Sequence, residues 1–160
     1  MSATVFDATQ CHLGEGPLWH PLRKQLYWFD IVQFQLHTRE DGAPRTWQIE
    51  EQVSAAGWID AARLLIASET RLFAFDLTSG ASEDVCALEA DTPATRSNDG
   101  RADPWGGFWI GTMGKGAENR AGAIYRYYRG ELRRLYHPIT ITNAICFSPD
   151  RRCAYYDDTA

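Results

Sequence analysis

The hydrophobic residues of this chain fall into short alternating runs rather than into a helical period. Runs such as residues 26–29 and 108–110 are separated by turns rich in Gly, Pro, Asp and Asn. No stretch combines an apolar repeat of three to four residues with helix-capping residues at its ends. The pattern predicts an all-β chain built from short strands.

The turns and strands recur at a regular spacing. Equivalent turn positions stand 39, 44 and 45 residues apart, at Pro21, Asp60, Pro104 and Pro149. In the first unit an initial strand is followed by the runs LYWFDI, FQLHT and TWQIE. Four-stranded units of about 40–45 residues are typical of a β-propeller, although regularly spaced strands also suit an all-β sandwich. The shared phase of turn, strand and polar residue favours the propeller.

We therefore expect one β-propeller domain over residues 1–160, made of four-stranded blades. The blades are expected at about residues 15–50, 52–90, 96–139 and, in part, 141–160. Closed propellers have four to eight blades, whereas about three and a half are predicted here, so the domain is expected to be incomplete. It would be half of a larger protein, or a second copy would supply the rest. Residues 4–9 look like a further strand without a partner, and such open edges would allow self-association.

Composition narrows the possible partners and the compartment. The net charge of −5 argues against a nucleic-acid backbone as the main partner. No apolar run approaches membrane-spanning length. The N-terminus lacks the basic start and apolar segment of a signal peptide, so a cytoplasmic protein is expected. The four cysteines would then be free thiols, although a bridge between Cys146 and Cys153 stays open because their segments could pair as adjacent strands.

Three potential metal ligands share one position in the repeat. Glu15, Asn98 and Asn143 each precede the proline of their unit by six residues. Equivalent positions of a closed repeat lie close together around its axis, and carboxylate and amide oxygens suit a hard divalent cation. A single Asn before Asp-Gly could be only a turn, but three residues in phase favour a metal site. We expect one divalent metal, with calcium, zinc, manganese and iron all left open.

Other polar residues near these positions are weaker candidates. Ser54 occupies the equivalent position of the second unit, as a weaker ligand or a residue that contacts substrate. Arg96 lies two residues before Asn98, so the two side chains share a face of the strand, and its guanidinium could bind a substrate hydroxyl or carboxylate. Glu118 stands in a polar loop and could be simply solvated. Asp99 is expected to accept hydrogen bonds from backbone amides rather than to act in catalysis.

Several segments together resemble the gluconolactonase/regucalcin (senescence marker protein) family. They are LGEGPLWHP with LYWFDI, SNDGRADPWGGFWIGTM with GAIYR, and TITNAICFSPD with YYDDT. The resemblance covers nearly all of the chain. It implies a six-bladed propeller of nearly twice this length, a divalent metal at the mouth of its channel, and hydrolysis of sugar lactones.

The resemblance also implies roles for individual residues. Glu15 and Asn143 match the family's metal ligands, and Arg96 with Asn98 matches the pair that contacts substrate. The chain reads Asn-Ala at Asn143 where Asn-Gly is common. The family's catalytic aspartate, the expected general base, belongs to a later blade beyond residue 160, and neither aspartate of YYDDT matches its motif.

Two classes of function follow as hypotheses. The first is a lactonase in which water attacks a lactone carbonyl polarised by the metal. The second is a propeller segment that binds a divalent metal without turnover, or a scaffold for interactions, because the aspartate of the later blade is absent. Activity of the 160-residue chain alone therefore stays open.

Overall fold

The computed structural model describes residues 2–160, which form fourteen strands in four antiparallel sheets. The first sheet contains β1 (Gly14–His20), β2 (Gln25–Asp30), β3 (Gln35–Glu40) and β4 (Ala43–Gln48). The second contains β5 (Val53–Trp58), β6 (Arg63–Ser68), β7 (Arg71–Asp76) and β8 (Ser82–Ala87). The third contains β9 (Thr95–Ala102), β10 (Phe108–Gly114), β11 (Gly122–Tyr128) and β12 (Glu131–Ile139). The fourth contains β13 (Thr142–Phe147) and β14 (Ala154–Asp158).

Strand order follows chain order in every sheet, as in a meander. Alternation decides which face of a strand is buried, because successive side chains point to opposite faces. On β2, for example, Tyr27 and Phe29 are fully buried, and on β6 the same holds for Leu64 and Ile66. Residues 2–160 contain no helix, and hence none long and apolar enough to cross a membrane.

The hydrophobic core lies between consecutive sheets. One cluster joins the first two sheets through residues such as Phe29 and Ile66. A second joins the middle two through Leu72 and Ile110, and a third packs Trp109 against the fourth sheet. Sheets that stack face to face in chain order around a common axis are propeller blades. The predicted all-β propeller of four-stranded blades is therefore confirmed, and the sandwich alternative is wrong.

The first strand of each blade lies innermost, against the first strands of its neighbours. A Cβ placed on Gly16 of β1 would stand 2.1 Å from the carbonyl oxygen of Ser54 on β5. Between β5 and β9, the Ser54 hydroxyl donates a 2.7 Å hydrogen bond to the Ser97 hydroxyl. Between β9 and β13, Asn98 donates to the Thr142 carbonyl at 2.8 Å. These contacts gather the starts of the inner strands around the axis.

An acidic side chain fixes the segment before the inner strand in three of the blades. Asp30, at the end of β2, accepts hydrogen bonds from the amides of His12 and Leu13. Asp158, at the end of β14, accepts from two amides just before β13. Glu69 accepts from the Gln52 amide in the second blade. The carboxylates thus set where each inner strand begins.

Residues 4–9, which the sequence predicts as a strand without a partner in this chain, pair with no strand among residues 2–160. A strand depends on ladder hydrogen bonds to a neighbour, and this segment makes none within the described chain. Side chains hold it against the first blade instead. Phe6 packs edge-on against Trp28, and Asp7 forms an ion pair with Arg39.

All four cysteines are free thiols. The bridge between Cys146 and Cys153 that the sequence left open is therefore not formed. In the β13–β14 ladder Cys146 stands opposite Tyr155 rather than opposite Cys153.

The turn between β9 and β10 is held by an ion pair between the buried Asp103 and the partly buried Arg126 of β11. The Asp103 carboxylate accepts from the Trp105 and Gly107 amides and, at 2.5 Å, from Nε of Arg126. Burial alone would raise the pKa of Asp103, but the hydrogen bonds from Arg126 and the two amides outweigh it and lower the pKa. A carboxyl with a depressed pKa stabilises the folded state above its unfolded pKa of about 3.9.

We predict that Asp103→Asn lowers the free energy of unfolding at pH 7 by about 3 kcal/mol, because it leaves the partly buried Arg126 without its counter-charge. The difference should shrink as the pH falls below about 4, where Asp103 itself becomes protonated. Urea unfolding between pH 3 and pH 7 measures both effects. Glu83→Gln, at an exposed carboxylate of β8, is the control. An equal loss at pH 3 and pH 7 would contradict the prediction.

Candidate functional site

Four polar residues stand at equivalent points of the inner strands. They are Glu15 on β1, Ser54 on β5, Asn98 on β9 and Asn143 on β13. At or beside each of them the pairing with the second strand of the blade shifts in register. Such irregularities re-aim side chains and are frequent beside active sites. The sequence repeat thus becomes a repeat of local backbone geometry.

The backbone becomes left-handed directly after two of these residues. Gly16 follows Glu15 with φ of 58°, and Ala144 follows Asn143 with φ of 56°. Glycine adopts this conformation readily, whereas a residue with a Cβ is strained there. The requirement for a left-handed residue explains why glycine suits the position after Asn143. Ala144 meets the same requirement at a steric cost.

Asn98 is the centre of the polar cluster. Its amide nitrogen donates to the Thr142 carbonyl at 2.8 Å and to Oδ1 of Asn143 at 3.1 Å. Its own Oδ1 accepts from Nη1 of Arg96 at 2.9 Å. Asn98 is 7% exposed. Both hydrogens of the amide are used, so Asn98 can meet a ligand only through its oxygen.

Arg96 is a buried cation without a carboxylate in contact. Its side chain, 8% exposed, donates to the Ser97 carbonyl and to Asn98. Within residues 2–160 it takes part in no ion pair. Burial lowers the pKa of Arg96, and the negative charge of Glu15 opposes that shift. A buried charge without a close partner is costly, so this guanidinium is well suited to an anionic or strongly polar ligand.

Glu15 lies on the opposite side of the cluster, on the innermost strand of the first blade. The side chain is half-buried, and its negative charge acts on Arg96 of β9. Directly beyond it, a cavity of about 220 Å³ lies between β1, β5 and β9, with Gly16 and Asp99 in its wall. Glu15 and Asn98 are the chain neighbours of two residues in the wall of this cavity.

Two weaker candidates lie in other environments. Ser54 is fully buried, and its hydroxyl binds Ser97, which in turn donates to the Ala67 carbonyl. Its side chain therefore links two blades. Glu118 is exposed in the β10–β11 loop, where its carboxylate accepts from the Gly116 amide. That loop begins beside β9, since Lys115 donates to the Ala94 carbonyl, so Glu118 lies at the same end of the blade as Asn98.

Asp99 accepts a 2.8 Å hydrogen bond from the Ile145 amide, in line with its expected structural role. Three contributors to the cluster were not predicted from the sequence. They are the Thr142 carbonyl and the side chains of Thr159 and Asp157. A backbone carbonyl has no sequence signal. Thr159 and Asp157 belong to YYDDT, which was considered only for a general base.

The donor set suits a hard divalent cation in its chemistry. Glu15 offers a carboxylate, and the Asn143 oxygen uses only one of its two lone pairs, toward Asn98. Among residues 2–160, no three His, Cys, Asp or Glu side chains are close enough to hold a metal by themselves. A metal at this position would thus depend on amide oxygens and on further ligands.

Known proteins match this chain along almost its whole length. The model of one protein family, described as the SMP-30/Gluconolactonase/LRE-like region, matches residues 13–160. A protein of Rhizobium meliloti (strain 1021), provisionally named a sugar lactone lactonase, is 44% identical over 160 residues, covering 99% of this chain and 54% of that protein. The L-arabinolactonase of Azospirillum brasilense is 38% identical over 164 residues, covering 98% of this chain and 54% of that enzyme.

A solved structure shares the fold closely. The calcium-binding protein regucalcin from Agrobacterium tumefaciens str. C58 superposes with a TM-score of 0.94 at 41% identity, over 97% of this chain and 53% of that one. The chain thus spans about half the length of the relatives that it matches.

We predict that Ala144→Gly stabilises the protein by roughly 0.5–1 kcal/mol. Relief of a left-handed alanine is worth about 1–2 kcal/mol, and the greater freedom of glycine in the unfolded chain offsets part of it. Urea unfolding gives the difference. Ala154→Gly, on β14 without a positive φ, is the matched control and should be destabilising. Destabilisation of similar size in both variants would contradict the interpretation.

Proposed function

Since the chain belongs to the SMP-30/Gluconolactonase/LRE-like family, we propose that it hydrolyses a sugar lactone as part of a longer, metal-dependent propeller enzyme. The observation that carries the proposal is the linked group of Arg96, Asn98 and Asn143 at the inner-strand starts. Relatives named as lactonases, among them the 6-deoxy-6-sulfogluconolactonase of Pseudomonas putida at 31% identity, support the reaction class.

Arg96 and Asn98 are proposed to position the sugar. The Arg96 guanidinium donates only, and part of its capacity remains beyond its bonds to Ser97 and Asn98. Asn98 would accept from a sugar hydroxyl through Oδ1, since its two hydrogens are already donated. A donor and an acceptor side by side select an oxygen-rich ligand and fix its orientation.

Glu15 and Asn143 are proposed to hold one divalent cation, with calcium, zinc, manganese and iron all compatible with oxygen donors. Such a cation supplies Lewis-acid polarisation of a carbonyl when bound. The carboxylate of Glu15 contributes the negative charge, and Asn143 contributes a neutral oxygen. Ser54 and Glu118 stay outside this set, because Ser54 links two blades through Ser97 and Glu118 is exposed in the β10–β11 loop.

The proton of the attacking water would pass to a carboxylate outside residues 1–160. Two aspartates of the present chain are already committed. Asp158 accepts from the Thr140 and Ile141 amides, and Asp157 accepts from Thr159. The ring of inner strands would be completed by further blades, in agreement with relatives of nearly twice the length. A cytoplasmic location and a sugar lactone as the small-molecule partner complete the proposal.

One observation favours a second candidate for residues 1–160 taken alone. The carboxylates at the polar cluster are Glu15, which is needed for the cation, and Asp157, which accepts from the Thr159 hydroxyl. A segment of this kind would bind a divalent metal without turning over a lactone. Measurable lactonase activity of purified residues 1–160 would reject this candidate.

We predict that Glu15→Gln lowers kcat/KM for lactone hydrolysis by at least about 100-fold. Loss of an outer partner of a metal ligand alone costs 10- to 100-fold, and the variant removes the ligand's charge while keeping its shape. A pH-stat assay of the complete gene product, with chelator and then with added Ca²⁺, Zn²⁺ or Mn²⁺, measures the effect. Glu50→Gln, at an exposed glutamate between blades, is the matched control.

Full activity of Glu15→Gln in the presence of chelator would contradict the proposed metal-dependent reaction. The same assay on residues 1–160 distinguishes a lactonase from a segment that only binds metal, because only the lactonase would hydrolyse the lactone. The mass of the natural gene product decides whether further blades belong to the same chain.

A further inference from the structure

A continuous line of hydrogen bonds leads from Arg96 on the third blade to Asp157 on the fourth. Arg96 donates to Oδ1 of Asn98 at 2.9 Å, and Asn98 donates to Oδ1 of Asn143 at 3.1 Å. The Asn143 amide donates to the Thr159 hydroxyl at 3.1 Å, and that hydroxyl donates to Oδ2 of Asp157 at 2.7 Å. Each member donates a hydrogen bond to the next, so all four hydrogen bonds point in the same direction.

The chemistry of the two ends fixes that direction. A guanidinium only donates, and a carboxylate only accepts. At the Asp157 end, the Thr159 hydroxyl must spend its one proton on the carboxylate, so it can only accept from Asn143. The nitrogen of the Asn143 amide is therefore turned to Thr159, and its oxygen is turned to Asn98 and the proposed cation. The Arg96 end imposes the same direction on Asn98.

Thr159 is itself held in place by the backbone. Its amide donates to the Ile141 carbonyl at 3.0 Å. In the β13–β14 ladder Asp157 stands directly opposite Asn143. Main-chain pairing thus places the Thr159 hydroxyl next to the Asn143 amide, although Thr159 itself is exposed.

We propose that Thr159, anchored by Asp157, is a positioning residue that fixes the orientation of the Asn143 amide and thereby turns its oxygen toward a bound divalent cation. The inference rests on the proposed metal role of Asn143. It gives a role to Asp157 on β14 and to Thr159, which follows that strand. Neither residue belongs to the proposed metal ligands or substrate contacts. Thr159 acts through Asn143 and touches neither cation nor substrate.

Without Thr159 the Asn143 amide would lose one of the two partners that hold it in one orientation, and only the hydrogen bond from Asn98 would remain. The terminal torsion of asparagine is broad and roughly two-fold, so a half-turn exchanges nitrogen and oxygen at little torsional cost. After that turn the Asn143 nitrogen would face both the Asn98 nitrogen and the cation, and neither contact is attractive. Metal affinity should therefore fall by about 10- to 100-fold, the usual cost of losing a partner that orients a ligand.

The test measures Ca²⁺ affinity by titration calorimetry on the complete gene product. Thr159→Val keeps the shape of the side chain and removes the hydroxyl, so affinity should fall by about 10- to 100-fold. Thr159→Ser retains the hydroxyl and should bind within about two-fold of the parent, a rescue that a purely structural role would not produce. Thr78→Val, at an exposed threonine of the β7–β8 turn, is the matched control. Thermal melting of each variant confirms that it is folded.

A second variant tests the direction of the line. Asp157→Asn replaces an obligatory acceptor by a group that can also donate, so Thr159 is no longer forced to accept from Asn143. Its Ca²⁺ affinity should lie between those of Thr159→Val and the parent. An affinity equal to that of the parent would overturn the role of Asp157.

Two further outcomes separate this inference from the function on which it rests. If Thr159→Val binds Ca²⁺ as tightly as the parent while Asn143→Ala and Glu15→Gln lose binding, the positioning role is wrong and the metal site stands. If neither Asn143→Ala nor Glu15→Gln changes the affinity, the metal assignment is wrong, and the positioning role is overturned with it.

Discussion

The close approach of the inner strands is the constraint on which the rest of this structure depends. At Gly16 the main chain of β1 comes so near that of β5 that a Cβ would stand 2.1 Å from the Ser54 carbonyl oxygen. Near its start, each inner strand also shifts register against the second strand of its own blade. The polar residues of the site stand at those irregularities. Their position thus combines the pairing within each blade with the packing of the inner strands.

The same packing creates an unusual electrostatic environment. Arg96 is buried where inner strands meet, and its charge is met by amide and carbonyl oxygens and, at longer range, by Glu15. In a medium of low polarity such a cation strengthens every aligned hydrogen bond beside it. The line from Arg96 to Asp157 carries that alignment from one blade to the next. The same hydrogen bonds therefore join the third and fourth blades and orient the side chains of the site.

Residues 4–9 show that an alternating pattern forms a ladder only where a partner strand is present. Their alternation is that of a strand, but a strand exists only when a neighbour offers a free ladder edge. Phe6 and Asp7 are held by Trp28 and Arg39 instead. Ser54 stands at the equivalent point of the second blade, where the sequence leaves open a weaker ligand or a substrate contact, and its hydroxyl joins two blades. In both cases the neighbouring strands decide what the residues contact, and the local sequence does not specify those neighbours.

By itself the sequence determined the blades and the phase of the site. Alternation and turn residues set the strands, and the spacing from Glu15, Asn98 and Asn143 to their prolines set three equivalent points, because both are local properties of the chain. Only the tertiary structure decided which of these residues touch, which way each amide faces, and that Thr159 and the Thr142 carbonyl take part. Hydrogen bonds between blades depend on distances between residues some 45 positions apart. Those distances arise only when the strands pack around the axis.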